Sequence, residues 1–237
     1  SDFQQRAFLI YRMIVNRIGY FTVEELAEKL NLSRSVINQE MPEVKSRLAQ
    51  FHLTLKRVPY HGLMLEGSEI AIRAAIIDSF ERNFSEDLSP EYVLDEYQGL
   101  NFVSTVTIRQ HIAAVMAQYS LCCTPVMLDR MTIAVLVTRN RAALGKRAEE
   151  KARIRLKGSA MVSVMETLVK RMEEKLDDTE IAFLALYALV CVAPAPQQNR
   201  AFYGQFADTG AAITARLIPA IRHQWFHHRL KEEEMAE

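Results

Sequence analysis

Arg34, Ser35, Asn38 and Gln39 follow one another at steps of one, three and one, so a helix through them presents all four on one side. A guanidinium can span O6 and N7 of guanine, and a carboxamide can span N6 and N7 of adenine. Such a face is chemically suited to base edges in a major groove. Ser33 and Ser35, at the start of that helix, suit phosphate oxygens. Further along, Lys56, Arg57 and His61 offer groups for contact with a sugar–phosphate backbone.

Other constellations carry less. His223 and His227 lie four apart, with Trp225 between them and His228 beside them, which would put two imidazoles on one helix face. No thiol or carboxylate at a matching spacing completes a metal site there. His111 lies in an apolar helical stretch and reads as a packed, hydrogen-bonded residue. No glycine-rich phosphate loop, nucleophile elbow or paired-carboxylate motif appears, so no enzyme, cofactor or metal is expected. Cys122, Cys123 and Cys191 form neither a disulfide framework nor a zinc spacing, and are expected to be reduced core residues of a cytoplasmic protein.

Short elements must position the four side chains. Phe3, Ala7, Ile10, Ile14 and Ile18 mark an amphipathic helix ending near Gly19. Thr22-Val-Glu-Glu25 is a capping box, opening a helix to about Leu30. Asn31-Leu-Ser33 is a turn, with Ser33 as N-cap of a helix to about Glu40. Pro42 then predicts the first turn of a separate helix running to about Phe51. Leu53–Val58 and Leu63–Leu65 alternate around Pro59-Tyr-His-Gly62 and predict a hairpin, after which Ser68-Glu69 caps another helix. Leu26, Ala27, Leu30, Val36 and Ile37 would hold the second and third helices at a fixed angle, a helix-turn-helix followed by a wing.

The remainder reads as helical. The acidic stretch 85–99 is the expected linker, and Pro194-Ala-Pro196 is a break before a last helix over 209–230. The expected division is a winged helix-turn-helix over 1–69, a helical linker over 70–106, a helical bundle over 107–193 and a C-terminal extension over 194–237. The expected fold class is all-α with a small β-hairpin wing.

Composition narrows the function. With 49% hydrophobic and 24% charged residues in 237, the chain is ordinary globular sequence, which excludes disorder and fibrous repetition. Its 29 Lys+Arg balance 29 Asp+Glu, so there is no chain-wide basic footprint for nucleic acid. Arg139, Arg141, Lys146, Arg147, Lys151, Arg153, Arg155 and Lys157 outweigh Glu149 and Glu150 locally. That run is either a second nucleic-acid surface or, more simply, a solvated helix and loop face. No apolar run in the sequence approaches the length of a membrane span, so neither membrane insertion nor secretion is expected. A start at Ser1 without Met leads to the expectation of a piece from something longer.

The runs Phe21–Glu40, Leu48–Lys56 and His61–Glu69 closely resemble the winged-helix domain of bacterial transcription regulators. These are the regulators that carry phosphotransferase-system regulation domains, of the mannitol-operon and lichenan-operon type. Met131–Arg139 and Thr179–Tyr187 resemble the two signature helices of such a regulation domain, so the resemblance spans about residues 3–192. It implies a DNA-binding regulator of a carbohydrate-uptake operon, with double-stranded DNA and a second copy of itself as partners. Phosphotransferase-system proteins would act through other domains of a longer chain. A protein-interaction and dimerisation module, with DNA read elsewhere, is the competing expectation. An RNA-binding antiterminator is a third, disfavoured because those carry a β-rich domain in front.

The departures are specific. In the family each signature helix offers a phosphorylatable histidine. The matching positions here are Thr132 and Tyr187, whose hydroxyls lack the near-neutral imidazole nucleophile. The resemblance places Arg139 close to that site, as a candidate anion pocket. The family often has Arg where this chain has Gln39, and Pro42 is unusual there.

Overall fold

Local hydrogen bonds decide where the first helices begin. In the computed structural model, which describes residues 2–81, 103–156, 158–191 and 193–194, Thr22 Oγ1 accepts from the Glu25 amide at 3.1 Å. Glu25 Oε2 accepts from the Thr22 amide at 3.0 Å. That reciprocal pair opens α2 (Val23–Leu30), which follows α1 (Asp2–Asn16). Asn31, in the left-handed region at φ 51°, turns the chain, and Ser33 Oγ accepts from the Val36 amide at 3.2 Å to open α3 (Arg34–Gln50). The first helix stops at Asn16, short of the expected end near Gly19, and Ile18 is left 46% exposed.

Pro42 does not start a new helix. It lies inside α3, which runs unbroken for 17 residues. A proline there forfeits one backbone bond and crowds the carbonyl four residues back. Ile37, Met41, Val44 and Leu48 form one buried stripe through the site, and their packing outweighs that loss. Pro42 itself is exposed.

A three-stranded antiparallel sheet follows, in the order β1 (Tyr20–Phe21), β3 (Gly62–Glu66), β2 (Thr54–Val58). The hairpin is as expected; the two-residue β1 that tethers it is an addition. Gly62, at φ 97°, is required there, because a Cβ would lie 2.3 Å from the Phe21 carbonyl oxygen. Ser68 Oγ then accepts from the Ala71 amide and opens α4 (Glu69–Glu81).

α4 packs back rather than leading away. Tyr11 Oη, on α1, lies 3.0 Å from the Ala75 carbonyl and 3.1 Å from Asp78 Oδ2. Arg47 Nη2, on α3, lies 2.8 Å from the same carboxylate oxygen. The chain divides after Ser79, so residues 70–79, expected in a linker, belong to the first compact unit.

The second unit contains α5 (Val103–Gln118), β4 (Leu121–Cys122), α6 (Pro125–Ala143), α7 (Glu150–Leu156), α8 (Ala160–Arg171), α9 (Asp178–Cys191) and β5 (Ala193–Pro194). β4 and β5 pair antiparallel. Met131–Thr138 of α6 and Ile181–Ala188 of α9 are buried on every side, which marks the two as the central helices. α9 packs on α6, α7 and α8, and α5 packs on α6 and α8. Asp177 caps α9, its Oδ1 accepting from the amides of Thr179 and Glu180 and from the Thr179 hydroxyl. Burial alone would raise that carboxyl's pKa; these bonds and Arg147 at 3.0 Å hold it below the usual range.

The cysteines differ from expectation. Cys122 is exposed and Cys123 half-buried, because alternation along β4 turns Leu121 inward and Cys122 out. Burial pushes the Cys123 thiol up to about 11, so it stays protonated at neutral pH. No described helix is long and apolar enough to cross a membrane. The acidic stretch 85–99, the expected helix over 209–230, and His223, Trp225, His227 and His228 lie outside the described residues.

Candidate nucleic-acid interface

The α2–turn–α3 unit is built from one side. Leu26 and Ala27 on α2 and Ile37 on α3 are buried, with Leu30 and Val36 half-buried between them. The Leu32 amide donates to the Ala27 carbonyl at 2.9 Å and closes the turn. Arg34, Ser35, Asn38 and Gln39 are all exposed. The structure therefore brings these four together, as their spacing required. Because α3 continues through Pro42, the exposed face also continues, to Lys45 and Ser46. Lys45 was not among the expected contacts. Seven residues beyond Asn38, it falls on the same face, a relation visible only when the helix is drawn unbroken.

The wing residues are not brought together in the same way. Lys56 pairs with Met64, which pairs with Tyr20, whereas Arg57 pairs with Leu63, which pairs with Phe21. Directly opposed residues share a face, so Lys56 and Arg57 leave opposite faces of the hairpin. The His61 ring stacks on Tyr20 at 4.9 Å between centroids and 25° between planes, which ties the wing tip to the Lys56 side. Tyr60, at the tip, is fully exposed at φ 66°.

Three cations near this surface already face carboxylates. Arg34 Nη1 is 3.0 Å from Glu24 Oε1, Lys56 Nζ is 3.5 Å from Glu66 Oε1, and Arg17 Nη2 is 3.6 Å from Glu25 Oε2. All six side chains are more than a third exposed. Exposed pairs of this kind are worth only about 0–1 kcal/mol and exchange readily.

In the second unit, Thr132 is 2% exposed and its hydroxyl donates to the Leu128 carbonyl at 2.7 Å. Tyr187 is 8% exposed, with its ring stacked on Phe183 at 6.4 Å. Arg139 Nε lies 3.0 Å from Glu174 Oε1, so its guanidinium already faces a carboxylate of the chain. The basic run is divided similarly. Arg147 faces Asp177, Arg153 faces Glu150 and Asp178, and Arg141 is buried. His111 is half-buried, and its Nδ1 accepts from Arg171 Nε at 3.2 Å in an exposed bond that bridges α5 and α8. Among the described residues no cluster of His, Cys, Asp or Glu could hold a metal ion.

The first unit thus contains a capped helix-turn-helix, a wing and a polar outer face on its second helix. Residues 4–80 match the Mga helix-turn-helix domain. The matched residues run from α1 into α4, and so include the helix after the wing. A probable licABCH operon regulator of Bacillus subtilis (strain 168) is 28% identical over 93 residues. That alignment takes in 39% of this chain and 12% of the relative's own length. Both findings bear out the resemblance to bacterial transcription regulators, and the domain match places it over the first unit.

Proposed function

We propose that the chain is part of a transcription regulator of a phosphotransferase-linked carbohydrate operon, acting in the cytoplasm and binding double-stranded DNA through α3. The observation that supports this most is the exposed row Arg34, Ser35, Asn38 and Gln39 on a helix opened by Ser33 after a tight turn. Arg34 and Asn38 read base edges, Ser35 and the helix N-terminus hold phosphate, and Gln39 and Lys45 extend the contact along the groove. Lys56 and His61 on one face of the wing, or Arg57 on the other, touch the backbone. A two-fold operator is matched by a two-fold protein, so the reading includes a homodimer.

The test is binding to a duplex selected from a randomised pool by the whole chain. Affinity should fall with salt, at a log–log slope of roughly −0.9 per phosphate contact. Arg34→Ala should cost about 1–3 kcal/mol on the selected duplex. No duplex preference at low salt, together with no effect of Arg34→Ala, would favour the second reading. In that reading the unit is a dimerisation module of a larger regulator, with DNA read by another domain. One observation speaks for it: residues 1–70 hold nine Lys/Arg against eight Asp/Glu, and of those cations Arg6, Arg17, Arg34, Arg47 and Lys56 each face a carboxylate.

The second unit is proposed as a regulation-domain bundle that receives no phosphate. Thr132 and Tyr187 are packed hydroxyls, and phosphorylating a hydroxyl needs a base and metal that these positions do not supply. After incubation with the general phosphocarrier proteins and phosphoenolpyruvate, intact mass should be unchanged. A phosphate mapped to His111, or anywhere over 107–192, would overturn the assignment. Any sugar signal would then enter through phosphotransferase-facing domains elsewhere in a longer chain.

A further inference from the structure

Glu24 faces a cation on the next helix. It lies in the first turn of α2, and its Oε1 is 3.0 Å from Nη1 of Arg34, the first residue of the proposed reading helix. The neighbouring Glu25 is committed to the capping box through the Thr22 amide. Glu24 has no such duty: among the described residues its side-chain partner is Arg34, and both side chains are more than half exposed. A carboxylate beside the first cation of a DNA-facing helix works against general affinity for an anionic polymer.

We propose that Glu24 is a specificity-determining residue that penalises phosphate contact by Arg34 more than base contact. The inference rests on the proposed reading of α3 as the DNA-contacting helix. A guanidinium has five N–H donors, of which a guanine edge takes two and Glu24 can keep one or two. A base edge is neutral, so the carboxylate can stay where it is and hold the guanidinium in orientation. A phosphate at Arg34 brings a second anion within a few ångströms of Glu24, well inside the screening length of about 8–10 Å. Either the ion pair opens or the two anions repel. Sequence-independent binding is therefore weakened, while the base-specific mode keeps most of its strength. Glu24 acts here as a positioning residue, through Arg34.

The test compares the whole chain with its Glu24→Gln, Glu24→Asp and Glu28→Gln variants on a random-sequence duplex and on a duplex selected by the wild type. Glu28 is exposed on the same helix and controls for net charge. Glu24→Gln should bind the random duplex about threefold to tenfold more tightly, with a salt slope steeper by roughly 0.9. Its preference for the selected duplex should shrink by a similar factor. Glu24→Asp and Glu28→Gln should stay within about twofold of wild type, since the first keeps the anion that faces Arg34 and the second removes one that does not pair with it. An equal gain in Glu28→Gln would reduce the effect to net charge and overturn the proposal, as would an unchanged Glu24→Gln. If the wild type binds duplex and Arg34→Ala weakens it while Glu24→Gln is silent, this inference alone fails. If no form binds any duplex, the DNA-binding reading fails and takes this one with it.

Discussion

Replacing Asp78 with alanine is expected to cost the first unit about 3–5 kcal/mol, although the residue lies far in sequence from α3. Its carboxylate faces Arg47 at 2.8 Å, with side chains only 8% and 10% exposed, and Tyr11 Oη approaches the same oxygen at 3.1 Å. The Arg47 guanidinium lies 4.8 Å from the Tyr11 ring centroid and 5.1 Å from that of Phe8. Burial alone would lower its pKa, but Asp78 and then Tyr11 more than offset that, so Arg47 stays charged. Burial, reinforced by Asp78, likewise raises the Tyr11 phenol well above its ordinary range and keeps it protonated. Removing the carboxylate strands a charge in the interior, and that desolvated charge sets the size of the loss.

Urea denaturation, with hydrogen exchange read on the amides of α1, α3 and α4, measures the effect. An Asp78→Ala cost below about 1 kcal/mol would contradict it. The double variant Arg47→Met/Asp78→Leu removes both charges and should return to within about 1–2 kcal/mol of wild type. Duplex binding should fall in Asp78→Ala and recover in the double variant, since the pair anchors the C-terminal half of α3 without facing the groove.

Phe183→Ala should cost the second unit about 3–5 kcal/mol. Phe183 is 2% exposed on α9, the helix against which α6, α7 and α8 pack, and its ring stacks on Tyr187. Truncation removes apolar contact and leaves a cavity that three packed neighbours can only partly fill. About 0.5–1.5 kcal/mol of the loss belongs to the aromatic pair, which Tyr187→Leu isolates. Faster hydrogen exchange across α6, α8 and α9 would report the change, whereas loss confined to the last turns of α9 would count against a central role for that helix.

Several features were legible because their causes are local. Thr22 with Glu25, Ser33, and Ser68 each satisfy helix N-terminal amides within three residues, so their positions could be read directly. The hairpin was equally readable from alternation around Pro59–Gly62, and alternation also separates Lys56 from Arg57. The outward face of Arg34, Ser35, Asn38 and Gln39 follows from helical spacing once Ile37 is placed inward.

What the sequence alone determined, then, is which segments form helix or hairpin, where they are capped, and which side chains share the outer face of α3. These rest on interactions between residues one to four apart. Tertiary structure decided the rest. Pro42 continues α3 because a buried stripe outweighs a local penalty, and α4 joins the first unit because Tyr11 and Arg47 hold it there. A two-residue β1 carries no periodicity to detect and exists through its pairing with β3. Arg34 meets Glu24, and Arg139 meets Glu174, only after helices and turns have been set at fixed angles. Each of these depends on contacts between separate elements, whose distances follow from packing rather than from spacing along the chain.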